Sequence, residues 1–200
     1  MNIILVITII LLIAMLTAIR KFRTEKLSVK QKNWWLIAHV LFVIIYFSGL
    51  FGTLLLTSIA TTIIRDRELI YAAHLFSKYC DWFLIIPGAF GSLITGVWLS
   101  LRTQWGLIKY NWTIVKTLGN IGAILYGATL MRIWFDQTVA LSSSGQMNPL
   151  QNTAYLHSRE LLIIGTIISL GILIFLVVIS YFKPFGKRKN HFAANQNAIK

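Results

Sequence analysis

The chain has 200 residues, enough for one domain, and carries 19 Lys and Arg against 6 Asp and Glu, a formal net charge of +13. It is nevertheless 56% hydrophobic and only 12% charged. An ordinary soluble domain carries roughly 25% charged residues, so the composition excludes a water-soluble enzyme, and the high apolar fraction excludes a disordered chain. The single cysteine, Cys80, excludes an internal disulfide and a thiolate cluster.

Five long apolar stretches dominate the sequence. A helix needs about 20 predominantly apolar residues to cross a bilayer. The stretches that qualify are 3–19, 34–57, 82–101, 112–131 and 161–182. Each is too long for a strand, and none shows the two-residue alternation of a membrane barrel. The sequence therefore predicts an all-α integral membrane bundle with five transmembrane helices.

The first stretch differs from the other four. No charged residue precedes it and Arg20, Lys21 and Arg23 follow it, which favours an uncleaved helix over a signal peptide. It is rich in Ile and Leu on all sides, so we expect a peripheral helix beside a four-helix core. The predicted organisation is an N-terminal transmembrane helix (1–19), a basic cytoplasmic loop (20–33), the four-helix core (34–182) and a basic cytoplasmic tail (183–200).

The basic residues fall mainly on one side of these spans. Thirteen lie on that side: Arg20, Lys21, Arg23, Lys26, Lys30, Lys32, Arg102, Lys109, Lys183, Lys187, Arg188, Lys189 and Lys200. The other side has five: Arg65, Arg67, Lys78, Arg132 and Arg159. The positive-inside rule places the N-terminus outside and the C-terminus in the cytoplasm of a bacterial plasma membrane. Because these charges lie between apolar spans, we interpret them as orientation signals. We therefore expect the chain to contact the lipid bilayer and not nucleic acid. The sequence leaves open whether it also forms a homo-oligomer or binds a membrane partner protein.

Small residues recur at four-residue steps within the spans. In span three these residues are Gly88, Ser92 and Gly96. In span four they are Gly119, Ala123 and Gly127. Lipid provides no hydrophobic drive between helices, so such stripes predict close helix packing. Pro87 removes one backbone hydrogen bond and predicts a kink in span three.

Two ionisable residues lie inside the spans, where their cost makes them functional candidates. His39 is five residues into span two, and Lys116 is four residues into span four on the same side. The helix face of His39 continues with Tyr46, and that of Lys116 with Asn120, so we expect both faces to turn inward towards each other. The alternatives are a hydrogen-bonded interior histidine, with Asn120 the nearest partner, and a lysine that extends to the lipid headgroups.

A second polar group is predicted on the outer side. It comprises His74, Asp81, Arg132 and His157. Asp81 and Arg132 have the charges of an ion pair, and the two histidines have the chemistry to bind a metal or a haem iron. The alternative is a solvated polar mouth held together by salt bridges.

Three segments carry a family resemblance: IAHVLFVIIYFSGLFGTLL, DWFLIIPGAFGSLITGVWLSL and WTIVKTLGNIGAILYGATLM. Together they resemble the HemJ-type protoporphyrinogen oxidases, the CopD-like copper-resistance membrane domains and a group of small bacterial integral membrane proteins of unknown function. The resemblance covers about half the chain. It implies that His39 and Lys116 are functional and that haem b or a porphyrin is bound. A histidine expected late in the lysine helix is replaced here near Tyr126, so the implied tetrapyrrole site has a single histidine ligand.

Three classes of function follow. The first is a tetrapyrrole-binding protein that uses His39. The second is a CopD-like protein handling a metal or a small solute, although one cysteine and four methionines are few for cuprous copper. The third is a structural or regulatory membrane subunit without chemistry of its own, which predicts a core without internal cavities. Whether the chain is an enzyme stays open.

Overall fold

The computed structural model describes residues 26–143, 148–184 and 186, together with Val6, Ile9, Ile10, Ile13, Ala14 and Thr17. All regular structure in this part of the chain is helical. The four main helices are α1 (Val29–Thr62), α2 (Arg67–Arg102), α3 (Asn111–Ser143) and α4 (Thr153–Phe182). All four are long and apolar enough to cross a membrane. The predicted first span lies mostly outside the described residues, as do 20–25 of the basic loop and 187–200 of the tail.

The four helices form a ring around a common core. Helix α1 packs against α2 and α4, and α3 packs against the same two helices. Helices α2 and α3 are joined by the short segment 103–110, which makes them an antiparallel hairpin. Buried apolar side chains fill the centre, with Leu50, Leu93 and Val97 at most 2% exposed. The predicted all-α fold is therefore confirmed for the described residues.

The helices begin where their sequences supply caps. Ser28 accepts a hydrogen bond from the backbone N–H of Gln31, and the Gln31 side chain accepts from the N–H of Ser28, which closes a capping box at the start of α1. Asn152 accepts from the N–H groups of Ala154 and Tyr155 and so starts α4. Asn148 accepts from the N–H of Leu150 and begins only the single 3₁₀ turn Pro149–Gln151.

Two helices extend well beyond their predicted spans. Helix α2 has 36 residues and α3 has 33, so at 1.5 Å per residue each is roughly 50 Å long, against about 30 Å of hydrocarbon. The extensions are 67–81 in α2 and 132–143 in α3. Both lie outside the predicted spans, in segments that the sequence assigns to the connections between helices. The extensions pack against each other, and an ion pair of Lys78 with Asp136 at 2.7 Å joins them. Asp136 also lies 3.3 Å from Nε of Arg132, one turn earlier in the same helix.

Each long helix contains one wide, π-helical turn. In α2 this turn is Asp81–Ile85, directly before Pro87, and in α3 it is Gly127–Met131. Proline has no N–H and its ring crowds the carbonyl four residues earlier, so a widened turn at this point relieves the clash. The sequence predicts a kink at Pro87, and the structure has a π turn shortly before this proline.

Candidate functional site

A cavity of about 320 Å³ lies at the end of the bundle where α1 and α3 begin and α2 and α4 end. Three lysines line it: Lys32 from α1, Lys116 from α3 and Lys183 after α4. We call it the lysine cavity. Its walls include no aspartate or glutamate among the described residues. The remaining lining is mainly apolar and aromatic, with small hydroxyl side chains between.

His39 projects from α1 into the bundle and is 8% exposed. Its Nδ1 lies 2.9 Å from Oγ1 of Thr95. The Thr95 hydroxyl donates its only hydrogen to the carbonyl of Gly91 at 2.6 Å, so towards the imidazole it can only accept. Nδ1 of His39 therefore carries the proton, and the free lone pair is on Nε2.

Gly96 explains how the imidazole fits against α2. A Cβ atom at Gly96 would lie 3.1 Å from Cε1 of His39. The glycine step that the sequence suggests for helix packing here also accommodates the histidine ring.

Lys116 meets this lone pair from the opposite side of the ring of helices. Its Nζ lies 3.3 Å from Nε2 of His39 and donates to Oγ of Ser180 at 3.0 Å. The two faces that the sequence turns towards each other are thus in contact. An ammonium group has three N–H donors, so one stays available to a ligand. Ion pairs in the described part of the chain involve only Lys78, Arg132 and Asp136, which leaves Lys116 without a carboxylate partner.

The other two predicted residues of this site have separate positions. Asn120 lines the lysine cavity, and its Nδ2 donates to Oγ of Ser92 at 3.2 Å, so the partner of His39 is Thr95 and not Asn120. Tyr46 lines a second cavity nearer the opposite end of the bundle.

Aromatic residues enclose the mouth of the lysine cavity. The rings of Trp105 and Trp112 meet edge to face at 5.4 Å, and Nζ of Lys183 lies 4.4 Å above the Trp105 ring. Nε1 of Trp112 is buried and has no hydrogen-bond partner. The cavity therefore offers one N–H of Lys116 that has no partner among the described residues, and no acidic group.

Sequence reasoning missed several residues of this site. The sequence predicts Lys32 and Lys183 only as orientation charges, and it gives Trp112 no role in a site. Thr95 and Ser180 carry no signal at all, because small hydroxyl residues are common inside membrane helices. Their contribution depends on how the helices are rotated against each other.

The predicted outer group is not brought together as one site. His74 is completely buried, and its Nε2 lies 2.8 Å from the hydroxyl of Tyr155, whereas His157 is exposed. A shared metal or haem iron between these histidines therefore has no support. The predicted ion pair of Asp81 with Arg132 is wrong, because Arg132 pairs with Asp136. No group of three His, Cys, Asp or Glu suited to a metal ion occurs over the described ranges.

The chain matches no protein-family model, no curated protein and no solved structure.

Proposed function

We propose that this chain is a multi-pass bacterial membrane protein that binds an amphipathic carboxylate in the lysine cavity. The observation that carries the proposal is Lys116, a half-buried ammonium that touches His39 at 3.3 Å and has no carboxylate partner. A charge removed from water is costly unless it is paired, and an intramembrane lysine is rare unless it has a function. A carboxylate ligand would supply the missing partner.

The membrane assignment is supported by the outer surface of the bundle. Large apolar side chains point away from the core on every helix, among them Leu55, Phe83, Leu118 and Phe175, which are each more than half exposed. Soluble monomers do not expose so much contiguous apolar area. A lipid environment accounts for this surface, with the lysine cavity at the cytoplasmic side according to the distribution of basic residues.

The charges of the lysine cavity favour an anion over a cation or a neutral molecule. Three lysines line it, and no acidic residue does among the described residues. An anion would balance this positive charge, whereas a cation would add to it.

The walls select an amphipathic ligand over a small inorganic anion. Leu36, Leu93 and Val97 line the cavity beside Trp105 and Trp112. A phosphate or sulfate ion would bury none of this apolar surface, whereas a carboxylate with a hydrocarbon or ring body would.

A tetrapyrrole is one member of this ligand class, bound through its carboxylates. The residues present do not fit an iron ligand, because both imidazole nitrogens of His39 already have partners, Thr95 and Lys116. Iron ligation would require Lys116 to move away, so we derive no step that uses haem iron. The same lysine fits the propionate side chain of a porphyrin.

The other two classes of function receive less support. Metal handling lacks a suitable ligand cluster in the described part of the chain. A subunit without chemistry predicts a solid core, whereas two cavities, of about 320 Å³ and about 210 Å³, lie inside the bundle.

Binding of decanoate and of protoporphyrin IX tests the proposal. We expect both to bind the purified protein in an uncharged detergent, and methyl decanoate and the porphyrin dimethyl ester to bind at least tenfold more weakly. Lys116→Met should weaken carboxylate binding by about tenfold to a hundredfold, the usual effect of one charge-assisted hydrogen bond. Isothermal titration calorimetry measures each affinity.

Lys109→Met is the matched control, because Lys109 is exposed at the same end of the bundle and does not line the cavity. It should bind decanoate as the unaltered chain does. Lys32→Met removes a cavity lysine that does not contact His39, and it should also weaken binding. This second variant keeps the proposal testable if Lys116→Met fails to fold. Equal affinities for acid and ester, or equal losses in all three variants, would disprove the proposal.

The orientation proposal has its own test. A green fluorescent protein fused after Lys200 should fluoresce, because this end is predicted to be cytoplasmic, and one inserted after Gly145 should not. Alkaline phosphatase at the same two positions should give the reciprocal pattern. The reversed pattern would place the lysine cavity at the outer face.

A further inference from the structure

A second cavity, of about 210 Å³, lies inside the bundle beyond the lysine cavity. Both π-helical turns contribute to its wall, through Asp81 and Ile85 in α2 and through Gly127, Ala128 and Met131 in α3. We call it the aspartate cavity. Wide turns of this kind are rare and concentrate at functional sites. Here two of them face the same space.

Asp81 is the buried acidic group of this cavity. It is 8% exposed, and its carboxylate makes no hydrogen bond or ion pair to any described residue. A buried carboxylate without a donor is unfavourable, so the cavity presents an acceptor that a ligand can satisfy.

Arg132 lines the same cavity, and its guanidinium carries five N–H groups, which can only donate. Its Nε lies 3.3 Å from Oδ2 of Asp136 but is not aligned for a hydrogen bond, and it is buried without an acceptor. An acceptor from Asp81 and a donor from Arg132 together match a hydroxyl group, which donates and accepts at one atom.

The nearby charges argue for an uncharged ligand. Lys78 and Arg132 share Asp136, which leaves one positive charge, and Asp81 balances it. A cationic or anionic ligand would upset this balance.

The shape and the walls of the cavity indicate a single substituted ring. An apolar cavity of about 150 Å³ holds a benzene molecule, so about 210 Å³ leaves room for a ring with a small substituent. Phe90, Met131 and Phe135 line the space, and aromatic rings and sulfur contact a ligand ring favourably. A Cβ atom at Gly127 would meet nothing within 4 Å, which leaves this wall open.

We infer that the aspartate cavity binds a small uncharged phenol, with its hydroxyl between Asp81 and Arg132 and its ring among the apolar side chains. This site is separate from the lysine cavity and does not depend on the function proposed for it.

Three probes of one size test the inference: 4-ethylphenol, its methyl ether 4-ethylanisole, and the cation 4-methylbenzylamine. We expect the phenol to bind the purified full chain about tenfold or more tightly than the ether, because only the phenol can donate to Asp81. In Asp81→Leu this preference should disappear. Affinities come from the concentration dependence of the thermal unfolding midpoint in detergent.

Gly127→Leu fills the cavity and should abolish phenol binding. Gly122→Leu is the matched control, because Gly122 is exposed and its added side chain also meets nothing within 4 Å. The inference fails if the ether binds as tightly as the phenol, if the amine binds more tightly, or if Gly127→Leu leaves phenol binding unchanged.

Discussion

Gly88→Ala should lower the thermal unfolding midpoint of the purified protein more than any other substitution of a glycine by alanine that leaves both cavities untouched. A Cβ atom at Gly88 would lie 2.6 Å from the backbone N and 2.8 Å from the Cα of Tyr46. Backbone atoms cannot rotate away as a side chain end can, so α1 and α2 must separate. Overpacking of this kind costs about 1–3 kcal/mol. Thermal unfolding in one detergent, followed by tryptophan fluorescence, measures the change.

Gly122→Ala is the control for the Gly88 variant. Its added Cβ atom would meet nothing within 4 Å, and alanine favours the helix, so the midpoint should stay equal or rise. Equal losses in the two variants would show that glycine is needed for the helix backbone and not for the contact between α1 and α2.

The two predicted small-residue stripes have different roles in the structure. In α2 the stripe makes contacts, because Gly88 meets the backbone of Tyr46 and Gly96 meets the ring of His39. In α3 the stripe has a mixed role: Gly119 meets Leu176, but Gly127 faces the open space of the aspartate cavity. A four-residue step predicts that small residues share a face. It does not predict whether a neighbouring helix or a cavity occupies the space beside them.

The polar extensions of α2 and α3 show why hydropathy placed the start of α2 too late and the end of α3 too early. The residues of 67–81 and 132–143 include charged side chains and fall below the threshold of an apolar span. They are helical because they pack against each other, with Lys78 and Asp136 joined at 2.7 Å. Such pairing depends on the tertiary arrangement, which a window along one helix does not contain. The cap at Asn152, by contrast, is a local signal of the usual kind.

The core of the lysine cavity was predictable because depth in a membrane is readable from sequence. His39 and Lys116 lie five and four residues beyond Trp34 and Trp112, so both must occur at a similar level. The partners of His39 and Lys116 were not predictable, because Thr95 and Ser180 are brought in by the rotation of α2 and α4. Several hydroxyl residues occur on those helices, and sequence does not rank them.

His39→Ala should destabilise the bundle, and His39→Gln should restore most of the loss. Alanine leaves the Thr95 hydroxyl without its donor and Nζ of Lys116 without one acceptor, at a cost of about 1–3 kcal/mol, and it also leaves a void beside Gly96. A glutamine amide can donate to Thr95 and accept from Lys116, as the neutral imidazole does. The thermal unfolding midpoints of the three proteins in one detergent give the order.

The same pair of variants separates a hydrogen-bonded histidine from an iron ligand. A haem iron held by His39 would be lost in both variants, because neither alanine nor glutamine replaces imidazole at iron. A tetrapyrrole held through its carboxylates by Lys116 would stay bound in His39→Gln. We therefore expect protein purified from cells supplied with haem precursor to keep the absorbance of any bound tetrapyrrole in His39→Gln. Loss of that absorbance in His39→Gln, with the unfolding midpoint unchanged, would make His39 the ligand and overturn the assignment of Nε2 to Lys116.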